Sequence, residues 1–226
     1  MELKAEHLTK VYFRGDPNEV AAVKDITIGI TRDDFVVVTG PSGSGKTTLL
    51  SLLGLLTRPT RGRIFLEGEE VSAYSDAWQT RIRKDKFGVV FQQYNLFPQL
   101  PAWENVSLPL VCRDISKEER RKRAVEIMGK LGLGKRKDFK VAYLSGGEQQ
   151  RIAIARALIV NPQVVLADEP TASVDAETAA SILEVFRHLK KEKKTLIVST
   201  HDPSIIREGT LFIELKNGIL AKLNRA

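Results

Sequence analysis

The chain has 226 residues, of which 42% are hydrophobic and 28% charged, and a formal net charge of +7. That length suits one sizeable domain with its own core, and the balance excludes disordered and collagen-like classes. No apolar run approaches the ~18 residues of a membrane helix, MELKAEHLTK lacks the apolar segment of a secretion signal, and the single Cys112 excludes an internal disulfide.

In chain order, Ile26, Ile28 and Ile30 alternate with small or polar residues, the period-2 mark of a half-buried strand. Short apolar runs bounded by turn residues then recur as FVVVTG, RIFLEG, FGVVFQ, VVLADE, TLIVST and LFIELKNG, and each predicts a strand. Helical stretches are expected at Lys46–Leu56, Ser116–Leu131, Ser145–Val160 and Ala176–Lys193. Strands alternating with helices predict an α/β domain with a largely parallel sheet. From about Leu96 to Ile159 no strand is expected, so a helical lobe interrupts that domain. Lys216–Gly218 reads as a turn between two late strand pieces. Cys112 reads as a small apolar residue on a helix face. The chain ends soon after its last predicted strand, and no regulatory domain is expected.

The positive charge permits an anionic partner. Its main concentration, Arg113 to Lys140, alternates acids with bases and interleaves no aromatic residues, so a solvated helix face is expected there and no nucleic-acid site.

Gly40-Pro41-Ser42-Gly43-Ser44-Gly45-Lys46-Thr47 satisfies G-x-x-x-x-G-K-S/T between a predicted strand and a predicted helix, with Thr48 following. Glycines let the backbone curl its N–H groups around a phosphate, and the helix start adds the positive end of its dipole. Lys46 reaches the β- and γ-phosphates and the Thr47 hydroxyl can ligand Mg2+, so ATP is the expected ligand. VVLADEP ends an apolar strand in two acids. Asp168 there can hold Mg2+ through its water shell, and Glu169 can polarise the water that attacks the γ-phosphate. His201, just past another strand end, could donate to the γ-phosphate or be an ordinary surface histidine; spacing does not separate these. His7 and His188 read as ordinary. LSGGEQQR opens a helix with Ser145 as N-cap and Glu148 closing a capping box. Capping leaves Gly146 and Gly147 unexplained, and bare N–H groups at a helix start make a second phosphate-binding surface. Two γ-phosphate sites in one chain suit a homodimer with ATP sandwiched between its subunits.

In this order the phosphate loop, LSGGE, VVLADEP and His201 resemble the ATP-binding cassette (ABC) ATPases, over essentially the whole chain. The resemblance implies one ABC ATPase domain spanning residues 1–226. It would comprise a P-loop NTPase core with a mostly parallel sheet and an antiparallel β subdomain (about 1–93 and 160–226), and an inserted α-helical subdomain (about 94–159). It implies that Gln92 touches Mg2+ and the water; Gln93 is the rival, but the residue directly after the strand aromatic fits better. Tyr12 looks like the aromatic that stacks on adenine, its alternative being an ordinary strand-end tyrosine. Asp175 matches the D-loop aspartate, although Ala172-Ser173-Val174-Asp175 departs from the usual Ser-Ala-Leu-Asp. Asp33 stands where glycine is often found, and aspartate tolerates φ > 0.

FQQYNLFPQLPAWENVSLPL and FRGDPNEVAAVKDI are similar to the lipoprotein-release, macrolide-efflux and cell-division branch. That branch implies an integral membrane permease partner, placement on the inner face of the cell membrane, and a groove for a coupling helix to which residues such as Tyr94, Leu96, Phe97 and Trp103 contribute, core packing in the helical lobe being the alternative for each of them. A cassette driving a non-transporting signalling complex, or a soluble cassette acting on nucleic acid or ribosomes, are the alternatives.

Overall fold

The computed structural model describes residues 2–226. The chain begins with β1 (Leu3–Tyr12), β2 (Val20–Ile30), β3 (Phe35–Thr39) and α1 (Lys46–Leu53), then β4 (Arg61–Leu66), β5 (Glu69–Glu70), α2 (Asp76–Lys86) and β6 (Phe87–Val90). A helical stretch follows, with α3 (Ala102–Ser107), α4 (Lys117–Lys130) and α5 (Gly146–Leu158). The chain then returns to β7 (Val164–Asp168), α6 (Ala176–Lys191), β8 (Thr195–Ser199), α7 (Pro203–Ile206), β9 (Leu211–Lys216) and β10 (Ile219–Arg225).

Two sheets result. One is antiparallel, in the order β2-β1-β4-β5; the other runs β10-β9-β3-β8-β7-β6. In the second sheet β9, β3, β8, β7 and β6 are parallel and only the terminal β10 is antiparallel. Its central strands β3, β7 and β8 are buried almost throughout because both faces are covered. Val36, Val38, Val164, Leu166 and Ile197 point to the face shared with α1 and the antiparallel sheet. Phe35, Val37, Val165, Ala167, Leu196 and Val198 point to the face shared with α3–α6. The two faces thus follow the period of two along each strand.

Besides the short β5 and α7, three elements went unforeseen. Along β1 the inward residues are Leu3, Ala5 and Leu8, and the register shifts between Ala5 and Leu8, where His7 adopts φ 51°. That bulge breaks the alternation a strand is read by. In α2 the only buried residue is Gln79, so no apolar stripe marks it, although Ser75 caps it. The short α3 is buried almost all round and shows no face.

The structure decides between the two readings of Trp103 and corrects that of Cys112. Trp103 is 7% exposed and belongs to the helical core rather than to an open groove, whereas Phe97 is 56% exposed. Cys112 lies exposed in a turn, not on a helix face. Asp33 does adopt φ 70°, and Asn217 and Gly218 turn β9 into β10 with φ 53° and 81°. No helix among the described residues is long and apolar enough to cross a membrane.

Candidate active site

The order β3-β8-β7-β6 sets the carboxyl ends of four parallel strands side by side, with Val38 opposite Ser199, Asp168 opposite Ser199 and Val90 opposite Ala167. In open α/β sheets ligands bind outside those ends. A cleft of about 670 Å³ opens there. It is lined by Ser42 to Thr48 from the turn after β3, Gln92 beyond β6, Asp168 and Glu169 at the end of β7, and His201 beyond β8.

The loop after β3 needs glycine at two places. Gly40 (φ 143°) and Gly45 (φ 101°) pass so close to the Leu215 and Ala22 carbonyl oxygens that a Cβ on either would lie 2.2 Å away. α1 starts at Lys46, and the first N–H groups of a helix have no intrahelical partner, so an anion can complete them. Lys46 Nζ donates to the carbonyls of Gly40 (2.8 Å) and Pro41 (3.3 Å), which curls the loop around the ammonium. Gly40 and Pro41 therefore contribute carbonyls and do not line the cleft. The β9–β10 turn braces the loop, Gly218 N–H donating to the Ser44 carbonyl at 3.0 Å. Ser44 Oγ is buried without a hydrogen-bond partner.

The acids are held by a residue that sequence reasoning missed. Ser199, fully buried, donates its hydroxyl to Asp168 Oδ1, while the other carboxylate oxygen accepts the Thr47 hydroxyl at 2.7 Å. The Glu169 N–H is shared between Ser199 O (3.0 Å) and Ser199 Oγ (3.1 Å). Those bonds hold Glu169 in the left-handed region, φ 47°, where a non-glycine residue is strained. Its carboxylate lies 3.4 Å from His201 Nε2 and 4.0 Å from Lys46 Nζ, and is 15% exposed. Gln92 lines the cleft and Gln93 does not.

A hydroxyl, a carboxylate and an amide oxygen form a hard-oxygen donor set that fits Mg2+, which takes few protein ligands and completes its shell with phosphate and water. Among the described residues no cluster of three or more His, Cys, Asp or Glu offers an all-protein metal cage.

The remaining predicted residues lie elsewhere in the chain. Ser145 Oγ accepts the Glu148 N–H at 3.2 Å and Glu148 Oε2 accepts the Ser145 N–H at 2.9 Å, a complete capping box. Burial is the largest influence on Glu148 and pushes its pKa up. The Ser145 N–H, the Arg136 guanidinium and the Ser145 hydroxyl outweigh it and hold the carboxyl below its usual range. Gly147, counted above as unexplained by capping, has a packing reason: a Cβ there would meet Thr178 Oγ1 at 2.6 Å. Asp175 caps α6, accepting the Thr178 N–H at 2.8 Å and the Thr178 hydroxyl at 3.1 Å. The first of these bonds chiefly lowers its pKa. Tyr12 sits at the end of β1 opposite Val20, with Lys10 Nζ 5.1 Å over its ring. None of Tyr12, Ser145–Glu148 or Asp175 lines the cleft.

The ABC transporter family model matches residues 23–172. The chain belongs to the ABC transporter family. An uncharacterised ABC transporter ATP-binding protein of Thermotoga maritima is 44% identical over 96% of this chain and 92% of its own length. The lipoprotein-releasing system ATP-binding protein LolD of Bordetella avium is 38% identical over 96% of this chain and 95% of its own. Among solved structures, the ABC cassette MJ0796 of Methanocaldococcus jannaschii, dimeric and bound to ADP and Pi in a post-hydrolysis state, superposes with a TM-score of 0.92. That pair is 40% identical, covering 99% of this chain and 98% of the other.

This chain is thus an ABC ATPase of transporter type, with an α/β fold. The ABC ATPase cleft is also lined by Ala22, Thr171 and Asp202, which carried no motif in the sequence, and by Ala172 of the D-loop match. Ser199 does fall in the apolar run TLIVST, but nothing local distinguishes a strand-end serine from one that holds the Asp168 carboxylate and the Glu169 N–H.

Proposed function

We propose that this ABC ATPase powers a membrane transporter or export complex, two copies closing head to tail on two ATP molecules. One observation carries the reading: Lys46, Thr47, Gln92, Asp168, Glu169 and His201 share one cleft, while the helix start at Ser145–Glu148 lies outside it. A second chain can bring Ser145, Gly146 and Gly147 to that cleft. The dimeric MJ0796 structures support this arrangement. Asp175 and Tyr12 complete the nucleotide contacts, on the interface and on adenine.

In the closed dimer Lys46 and the loop N–H groups bind the β- and γ-phosphates. Thr47, Asp168 and Gln92 would hold Mg2+, which when bound offsets phosphate charge. Glu169 accepts a proton from water as its oxygen attacks the γ-phosphorus and the bond to the bridging oxygen breaks. His201 donates to the γ-phosphate and keeps Glu169 oriented. Differential affinity of ATP and ADP for the closed state supplies the stroke.

Residues 94–159 act as the lobe that meets an integral membrane permease. The 38% identity to LolD and a 40% identity to the ATP-binding/permease protein MacB of Bradyrhizobium diazoefficiens support a permease partner. This chain corresponds to 34% of that longer protein. The partner would hold the ATPase on the inner face of the cell membrane.

Glu169→Gln tests the reading. The variant binds ATP and forms ATP-dependent dimers by size exclusion, yet hydrolyses ATP at least ~100-fold slower, the size of a lost general base. Near-wild-type turnover would overturn it. Tagged Glu169→Gln protein with ATP should recover a permease from solubilised membranes.

A further inference from the structure

The turn that carries Gln92 is held by an arginine of the helix that starts at Ser145. After β6 the chain passes Gln92 and enters two consecutive left-handed residues, Tyr94 (φ 57°) and Asn95 (φ 49°). Each such residue is disfavoured by roughly 1–2 kcal/mol for an L side chain, so a pair in succession needs outside support. Arg156 supplies it. One end of its guanidinium donates to the Tyr94 carbonyl at 2.7 Å and the other to the Asn95 carbonyl. Both donors go to main-chain oxygens rather than to a carboxylate. Charge-assisted bonds of this kind are about twice as strong as neutral ones, and the planar fork fixes both carbonyls at once.

Arg156 lies on α5, a single uninterrupted helix that begins at Gly146 with the capping box. Tyr94 also reaches the beginning of that helix: its hydroxyl lies 3.4 Å from where a Gly146 Cβ would stand. Its carbonyl is therefore tied near the carboxyl end of α5 while its ring tip lies against the amino end. The Gln92 turn and α5 are fastened at two points.

We propose that Arg156 is a positioning residue of the ATPase cycle, which makes the Gln92 turn move with the helix whose amino end meets the partner subunit's nucleotide. This rests on the ATPase dimer proposed above. In that dimer the seating of Ser145–Gly147 on one nucleotide is transmitted through α5 and Arg156 to Gln92, which faces the other. The rigid link predicts an effect on turnover and little effect on nucleotide binding by one chain, because Arg156 does not line the cleft.

The experiment compares Arg156→Met, Arg156→Lys and wild type. It measures steady-state ATPase activity, affinity for a fluorescent ATP analogue in dilute monomer, and thermal melting. Wild type is assayed first; if it neither hydrolyses ATP nor dimerises with it, the dimer reading fails and not the link. With wild type active, kcat is expected to fall about tenfold in Arg156→Met and about threefold in Arg156→Lys, while Kd stays within about twofold. Adding Asn95→Gly to Arg156→Met should recover at least about threefold, because glycine adopts the left-handed region without help. Turnover within about twofold of wild type in both arginine variants overturns the proposal. So does a loss of affinity that matches the loss of kcat, or a loss that Asn95→Gly does not relieve. Failure of both variants to melt cooperatively overturns it too, since Arg156 would then be a residue of the folding core.

Discussion

Thr47 donates its hydroxyl to the Asp168 carboxylate across 2.7 Å, joining two motifs that lie 121 positions apart. Ser199 grips the other oxygen of the same carboxylate and also accepts the Glu169 N–H. Ser199→Ala frees Asp168 to rotate and removes one support of the strained Glu169. One hydrogen bond is worth about 1 kcal/mol and 1.4 kcal/mol is tenfold in rate, so kcat should fall about three- to tenfold. The Mg2+ concentration for half-maximal activity should rise, and Ser199→Thr should retain most activity. Magnesium titrations of ATPase rate check this; an unchanged profile in Ser199→Ala would show that the carboxylates hold their places unaided.

Gly147 packs against Thr178 and is proposed to meet phosphate, and a double substitution separates the two. In Gly147→Ala the new Cβ would fall 2.6 Å from Thr178 Oγ1 and 3.2 Å from its Cγ2. Overpacking of that kind destabilises by about 1–3 kcal/mol, read as a lower melting temperature. Thr178→Ala in the same chain should recover most of that loss, since the Thr178 N–H still caps onto Asp175. ATPase activity should remain low in the double variant, because the proposed close approach of phosphate to this helix start calls for a bare backbone. Full recovery of activity would make Gly147 a packing residue alone.

The Tyr12 ring should bind adenine rather than drive chemistry. Tyr12→Ala is expected to weaken ATP binding at least about fivefold, the low end of a base-stacking contact, with kcat at saturating ATP within about twofold. Tyr12→Phe should bind like wild type. Fluorescence titration decides; unchanged affinity in Tyr12→Ala would make this an ordinary strand-end tyrosine.

Asp34 gives the fold an acid-sensitive tie. Its carboxylate, 7% exposed, accepts two bonds from Arg225 at 2.8 and 3.0 Å and two from Thr31 at 2.7 and 2.9 Å. Burial is the largest influence and pushes its pKa up, but Arg225 and then Thr31 outweigh it and hold the group below its usual value. A depressed carboxylate stabilises the fold above its unfolded pKa of about 3.9, and that stability is lost as pH falls through the folded value. Arg225→Ala should therefore cost roughly 1–3 kcal/mol in urea unfolding at pH 7. The difference from wild type should shrink as the pH drops below about 4. A pH-independent difference would mean that Arg225 contributes by packing.

Much of the site was legible because its parts are local. Gly40–Thr48 specify a turn and a helix start within nine consecutive positions, and Ser145 with Glu148 specify a cap within one helical turn. Elements without a local period stayed hidden: β1 behind its bulge at His7, α2 behind its polar surface, and α3 behind burial on almost every side. Trp103 could not be told from Phe97 by residue type, since an aromatic in a helical lobe serves either as core or as surface.

The sequence by itself determined the chemical parts: a glycine-rich loop suited to phosphate, an acid pair at a strand end, and a second helix start with bare N–H groups. Those depend on neighbours a few residues apart, where backbone conformation and side-chain reach are set by the chain itself. Only the tertiary structure decided which strands lie side by side, and with that the meeting of Thr47, Asp168 and Ser199. It also decided that the helix start at Ser145 lies outside its own chain's cleft, and that Arg156 reaches back to the Gln92 turn. Strands buried on both faces are apolar throughout and carry no mark of their partners, so long-range pairing and packing alone select the order.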